Sequence, residues 1–301
     1  MSEAKIPKGT NEQYLSDLII RGFIKACRIF PFSLRGKLMG QILRSLVAPF
    51  SGYKKRAIEN LTYIYPTMDE AEKSRIANAV AENAGRTFIE NYDILTLKKK
   101  LHNSEIKGEG LNALQEARAS GKPVLFVTGH FGNFEAPRAA LVAKGYQIGG
   151  LYRPMSNPYF NTHYAENMHR LSGPVFEQGR RGTMGLLRHM KNGGMGVLLF
   201  DIYDARGIPI TFMGKPAPTA TSAAEIALKT GALLIPMFGV RRQDDLLFDI
   251  ILQTPVAHGT ALEMTMEMTK RLEAMVEEYP EQWFWIHRRW KPERHGSIAD
   301  P

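Results

Sequence analysis

The stretch Pro123–Leu141, PVLFVTGHFGNFEAPRAAL, decides how the rest of the chain is read. Val124–Thr128 is a short apolar run rich in β-formers, so it predicts a buried strand. A glycine-bracketed turn follows and then an alanine-rich helical segment, which is the strand–loop–helix step of an α/β sheet. His130 falls in the turn, and Glu135 lies five residues on. On one continuous helix that spacing would turn the two side chains roughly 140° apart. With His130 in the turn, Glu135 in the first helical turn can fold back onto the imidazole, Gly129 and Gly132 giving the backbone the freedom required. A carboxylate on one ring nitrogen fixes the tautomer and stabilises the cation formed when the other nitrogen takes a proton.

The spacing by itself is weak. With 8 His and 30 acids in 301 residues, His followed by an acid at the fifth position is expected about 0.8 times by chance. It occurs at His130/Glu135, His258/Glu263 and His295/Asp300. Only the first follows a strong apolar run and combines flanking glycines with an entering helix.

Outward from this block the chain alternates apolar runs and helical segments. Strands are expected at Val124–Thr128, Gln147–Tyr152, Gly196–Phe200, Leu233–Val240 and Leu246–Leu252. Helices are expected near 110–119, 134–144, 157–171, 182–192, 219–230 and 261–279, the last with a core stripe of Met264, Met268, Leu272 and Met275. The fold class is α/β: a single domain with a central, mostly parallel or mixed sheet flanked by helices. A helical extension precedes it over residues 1–105, with the α/β core over 106–301.

That extension carries most of the charge imbalance. Residues 1–60 hold eleven Lys/Arg against four Asp/Glu, whereas the whole chain carries a net +9. Residues 11–30 read as a helix capped by Asn11 and stopped by Pro31, with Asp17, Arg21, Lys25 and Arg28 along one stripe and a wide apolar remainder. That profile suits either an interfacial helix or an ordinary packed one, and the basic, apolar segment 33–50 repeats the theme. A second long helix is expected over 69–95, and Lys98–Lys100 read as a solvated loop. The longest stretch free of charged residues, Ile250–Leu262, has 13 residues, short of the roughly 20 that span a bilayer. The first residues lack the apolar core of a signal peptide. The single cysteine, Cys27, allows no internal disulfide and no zinc site built from cysteines. Phosphate-loop, dinucleotide, zinc-protease and serine-hydrolase signatures are absent.

GHFGNFE resembles the His-x4-Asp/Glu block of glycerolipid-type acyltransferases, and specifically that of the bacterial lipid A lauroyl/myristoyl acyltransferase family. RAIENLTYIYP (56–66), RTFIENY (86–92), LYRPMSNPYFN (151–161), the segment 212–242 and EQWFWIHRRWKP (281–292) resemble further blocks of that family in the same order. FDIYDARG departs from the family's Asp-x-Asp segment, with Asp201 the counterpart and Asp204 a displaced second acid.

The resemblance implies transfer of a fatty acyl chain from an acyl-carrier-protein thioester to a hydroxyl of a lipid A precursor, with no acyl-enzyme, cofactor or metal. It implies His130 as general base and Glu135 as its orienting carboxylate. Arg153 and Asp201 follow expected strands, where sites gather, and are expected to bind substrate or to form a structural ion pair. Backbone N–H groups near Gly132 and Asn133 are candidates for the oxyanion, and Arg180 and Arg181 match the family's arginine segment loosely. Arg288 and Arg289, between Trp285 and Trp290, read either as a membrane-interface belt or as a packed terminus. The expected location is the cell inner membrane, peripheral on the cytoplasmic face. The expected partners are an acidic acyl carrier protein and an anionic lipid, with no nucleic acid. Coenzyme A is the alternative donor. A same-fold enzyme acting on a lysophospholipid or aminolipid, or a non-catalytic basic membrane- or nucleic-acid-binding protein, are the competing readings.

Overall fold

Val124–Thr128 is the middle strand of a seven-stranded sheet, with every residue buried, in the computed structural model, which describes residues 9–242 and 248–291. The N-terminal part holds α1 (Asn11–Cys27), α2 (Phe32–Ile42), a π turn (Leu43–Val47), α3 (Ala48–Phe50), α4 (Tyr53–Ile64), α5 (Glu70–Asn91) and α6 (Ile94–Lys100). The sheet region begins with β1 (Ile106–Lys107), α7 (Gly110–Ser120), β2 (Val124–Thr128), α8 (Ala136–Ala143), β3 (Ile148–Tyr152) and α9 (Pro158–Leu171). It continues with β4 (Val175–Glu177), α10 (Arg180–Lys191), β5 (Met195–Leu199) and the small hairpin β6 (Thr211–Phe212) and β7 (Lys215–Pro216). Then come α11 (Ser222–Thr230), β8 (Leu233–Arg241), β9 (Phe248–Leu252) and α12 (Ala261–Glu278).

The sheet order is β1-β9-β8-β2-β5-β3-β4, parallel throughout except for the β8–β9 pair. β2 runs beside β5 in register Thr128↔Leu199, so the residues just after these two strands meet at one edge of the sheet. Ligands gather at such carboxyl ends in open α/β sheets. The five expected strands form, with ends shifted by a residue or so. Leu246 lies outside the described residues. β1, β4 and the hairpin, each two or three residues long, were too short to leave a periodic signal.

The N-terminal helices share the core. Ala57, Leu61, Ile76, Ala77 and Val80 belong to the same buried cluster as Leu125, Val127, Phe238 and Met264–Met275 of the expected α12 stripe. Lys98–Lys100 form the last turn of α6, not a loop, where their charge complements the helix dipole. Thr10, not Asn11, caps α1 through a capping box with Gln13. The Trp belt reading is not what the chain adopts. Trp283, Trp285 and Trp290 are all at most 4% exposed and pack on one another, Trp283 and Trp290 also on Phe212, while the buried Arg289 guanidinium donates to the carbonyls of Ile202 and Pro218 and to Thr219 Oγ1.

α1 packs on the protein through a narrow stripe of Asp17, Ile20, Ile24 and Cys27. Asp17 is 1% exposed and pairs with Arg21, Arg28 donates to the carbonyl of Tyr92, and Ile24 is buried beside them. The other apolar residues point outward: Leu15, Ile19 and Phe23 are exposed, as are Ile29, Leu46 and Phe50 further along. No helix among the described residues is long and apolar enough to cross a membrane.

Candidate active site

His130 follows β2, and Asp201 follows β5 by two residues. The adjacency of those strands brings the two together. His130 Nδ1 lies 2.8 Å from Asp201 Oδ1, and the backbone N–H of His130 donates to Asp201 Oδ2 at 2.7 Å. Trp283 Nε1 donates to the same Oδ2 at 3.0 Å. Burial of Asp201 alone would raise its pKa, but the His130 ring charge, the hydrogen bonds from His130 and nearby His287 outweigh that and hold it well below the usual carboxylate range. An ionised carboxylate accepts only, so Nδ1 carries the proton and Nε2 presents its lone pair. The imidazole is 26% exposed, enough for a reacting group to meet it. The approach demands Gly129: a Cβ there would sit 3.0 Å from Asp201 Oδ2 and 2.9 Å from Leu272.

The expected contact between Glu135 and the imidazole is not made. Glu135 N is held by Asn133 Oδ1, and the Glu135 carboxylate accepts from Arg138 Nη1 at 3.2 Å, an i,i+3 pair at the start of α8. Arg138 is 1% exposed and also donates to the carbonyls of Ile148 and Ser172, so it anchors Glu135 away from the ring. Glu135 still borders the same cavity as His130, while Asp201 is buried behind the ring. His130, Glu135 and Arg138 open onto an apolar cavity of about 350 Å³ whose walls include Phe88, Tyr92, Phe134, Phe160, Tyr164 and Met168.

The turn after β2 is fixed by a buried polar network from α5. Gly132 has φ +53°, and its Cβ would lie 1.9 Å from the Gly239 carbonyl, so no other residue fits. The Gly132 carbonyl accepts from Asn83 Nδ2 and Thr87 Oγ1, and Asn133 Nδ2 donates to Glu90. Arg241 makes a bidentate pair with Glu90 at 2.7 and 2.9 Å. The N–H groups of Gly132 and Asn133 donate to the carbonyls of Gln282 and Gly239, so the expected oxyanion donors are already engaged.

A second histidine completes the site. The His287 ring lies 4.3 Å from that of His130, edge to face, and its Nε2 is buried without a partner. Burial and the neighbouring His130 push its pKa down to about 3, so it stays neutral and adds no like charge against protonation of His130. Sequence reasoning assigns no role to Glu90, Arg241, Trp283 or His287, although RTFIENY, the segment 212–242 and EQWFWIHRRWKP contain them.

The remaining expected residues sit elsewhere. Arg153 is exposed just past β3, and Asp201 and Glu135 pair with His130 and Arg138 instead of with it. Arg180 and Arg181 begin α10 and border a separate polar groove with Arg188. Asp204 accepts from the N–H of Arg206 in a turn. Among the described residues no three His, Cys, Asp or Glu side chains are grouped to hold a metal.

A positioned imidazole with an ionised carboxylate behind it and an apolar cavity before it suits proton abstraction from a hydroxyl beside a bound hydrocarbon. Residues 7–292 match the family described as bacterial lipid A biosynthesis acyltransferase. A lipid A biosynthesis acyltransferase of Haemophilus influenzae is 22% identical over 278 residues, covering 91% of this chain and 87% of its own. The lipid A biosynthesis lauroyltransferase of Escherichia coli is 24% identical over 244 residues, covering 79% and 78%. The corresponding myristoyltransferase is 19% identical over 252 residues, covering 81% and 77%.

Proposed function

Because the chain belongs to the bacterial lipid A biosynthesis acyltransferase family and is an O-acyltransferase, we propose that it moves a fatty acyl chain from an acyl-carrier-protein thioester to a hydroxyl of a lipid A precursor. The observation that carries this reading is the His130–Asp201 pair at the mouth of the apolar cavity. In the proposed reaction the acyl chain lies in the cavity, where each buried methylene contributes about 0.8 kcal/mol. His130 Nε2 takes the proton of the acceptor hydroxyl as its oxygen attacks the thioester carbonyl. Asp201 holds the tautomer and stabilises the imidazolium. The tetrahedral intermediate then expels the thiolate, which receives the proton back from His130. Glu135 serves from the cavity mouth, where it fixes Arg138 and meets the substrate. No cofactor or metal takes part.

The outward apolar residues of α1 to α3, with the basic excess of the N-terminal region, support peripheral attachment to an anionic bilayer; we place it on the cytoplasmic face of the inner membrane. The test offers the purified chain a mixed acyl-carrier-protein pool or the matching coenzyme A thioesters with a tetra-acylated lipid A precursor, read by mass spectrometry. A product heavier by one acyl chain, formed from the carrier-protein pool, is expected. No product from either donor, with transfer to a lysophospholipid or aminolipid instead, would contradict the acceptor.

A further inference from the structure

We propose that a second concavity, walled in part by the C-terminal segment that carries His287, binds a phosphate on the head group of the membrane-borne acceptor. The cavity has a volume of about 540 Å³ and lies between α4 and the C-terminal segment, with Lys55, Arg56, Arg288 and Lys291 on its walls. Its one carboxylate, Glu59, is 3.9 Å from Lys55, and both side chains are more than half exposed, so that pair is screened and leaves the cationic excess in place. Arg288 is exposed and has no carboxylate partner among the described residues. A fifth cation stands close by: Lys215 Nζ lies 5.2 Å over the ring of Tyr63, which with Trp290 forms the aromatic base of the cavity. Cations collected in a concave, partly apolar site concentrate anions, and guanidinium groups fork onto phosphate oxygens.

Two features name the source of that phosphate as a lipid acceptor. Gly52 is part of the lining, and its neighbours Phe50 and Tyr53 are 87% and 37% exposed, so the cavity borders the outward apolar face. A lipid lying in a bilayer under that face brings its head group to the cavity. The cavity wall is also tied to the reacting centre. Asn60 Nδ2 donates to the carbonyls of Trp285 and His287 at 2.7 and 2.8 Å, and the His287 ring is 4.3 Å from His130. A phosphate held here sets the hydroxyls of its own lipid against His130 Nε2, with the donor chain in the other cavity. The inference rests on the proposed acylation of such a lipid.

The test measures binding of full-length His130→Ala, which cannot turn over, in detergent micelles. The probes are a tetra-acylated lipid A precursor with its phosphates and the same lipid enzymatically dephosphorylated. The phosphorylated form is expected to bind at least about tenfold tighter, and Lys55→Gln with Arg288→Gln to erase that preference while leaving the dephosphorylated lipid within about twofold. Lys99→Gln with Lys122→Gln, which removes equal charge elsewhere on the exposed surface, is expected to keep the preference. Inorganic phosphate should compete only at far higher concentration than the lipid. A preference that survives Lys55→Gln/Arg288→Gln, or one that both double substitutions abolish alike, overturns the proposal. If the preference holds but no lipid A precursor is acylated, the acyl-transfer reading falls and the phosphate site stands; if transfer occurs and both lipids bind alike, the site falls alone.

Discussion

Asp201→Asn separates this account from one built on Glu135. In the native site Asp201 Oδ2 accepts from two donors, His130 N at 2.7 Å and Trp283 Nε1 at 3.0 Å. An asparagine must therefore place its carbonyl oxygen there, because its NH2 cannot accept. The NH2 then occupies the Oδ1 position, 2.8 Å from His130 Nδ1, and donates to it. Nδ1 becomes the acceptor, Nε2 carries the proton, and the base is lost while the fold is kept. The same tautomer inversion in the serine-protease triad lowers kcat about 10⁴-fold, and general-base catalysis contributes about 10²–10⁴. We expect kcat to fall by roughly 10³–10⁴, which is about 4–5.5 kcal/mol of barrier, with KM changed less than about threefold. Mass-spectrometric acyl transfer gives the rate, and ¹⁵N chemical shifts of the His130 ring give the tautomer. Glu135→Gln is expected to leave the tautomer unchanged, since its carboxylate sits on Arg138. Activity of Asp201→Asn within tenfold of the parent, or an Nδ1–H signal that persists in it, refutes the reasoning.

His287 makes stability depend on pH. Its folded pKa of about 3 lies below the ordinary 6.5, so the unfolded chain binds the proton first. Its stabilising effect is complete above pH 6.5 and is lost as pH falls toward 3, by up to about 1.4 kcal/mol per unit. His130, Asp201, Arg289 and Arg56 are the charges it feels, and His287→Gln should flatten urea-unfolding free energies between pH 6 and 4 if those neighbours stay in place. Ala84 on α5 also lines the apolar cavity, and filling it with Ala84→Trp should shift donor preference to shorter chains, with kcat/KM falling about fourfold for each methylene displaced; an unchanged chain-length profile would place the hydrocarbon elsewhere. Leu46→Asp with Phe50→Asp should weaken partition into anionic vesicles by roughly 100-fold or more, from about 1.5–3 kcal/mol per buried side chain, and sedimentation that is unaffected would remove α3 from the membrane face.

Much of the fold was legible because strong local signals agree with it. The run 124–128 has four apolar residues bounded by Pro123 and Gly129, and the α12 methionines repeat at helical spacing. What stayed hidden is what depends on distance in sequence. The imidazole partner is 71 residues from His130, and only the pairing of β2 with β5 brings it there, so the nearer Glu135 looked like the natural choice. The Glu90–Arg241 pair spans 151 residues and leaves no local trace. Trp285, Arg289 and Trp290 read equally as belt or core because composition alone does not say which side of a segment is covered. For α1 the pattern did not say which residues pack inward: Asp17 lies buried in the same stripe as Ile24, while Arg21 and Lys25 of the charged stripe stay exposed.

The central claim, that His130 is the base of a direct acyl transfer, is tested most directly by single turnover. Full-length chain in excess over a labelled acyl-carrier-protein donor is quenched at intervals with a lipid A precursor present, for the parent and for His130→Ala. The account predicts that label passes straight to the lipid in the parent, with no label on protein, and that His130→Ala transfers at least about 10²-fold more slowly. Transfer by His130→Ala within tenfold of the parent, or label trapped on the protein before it reaches the lipid, would contradict it.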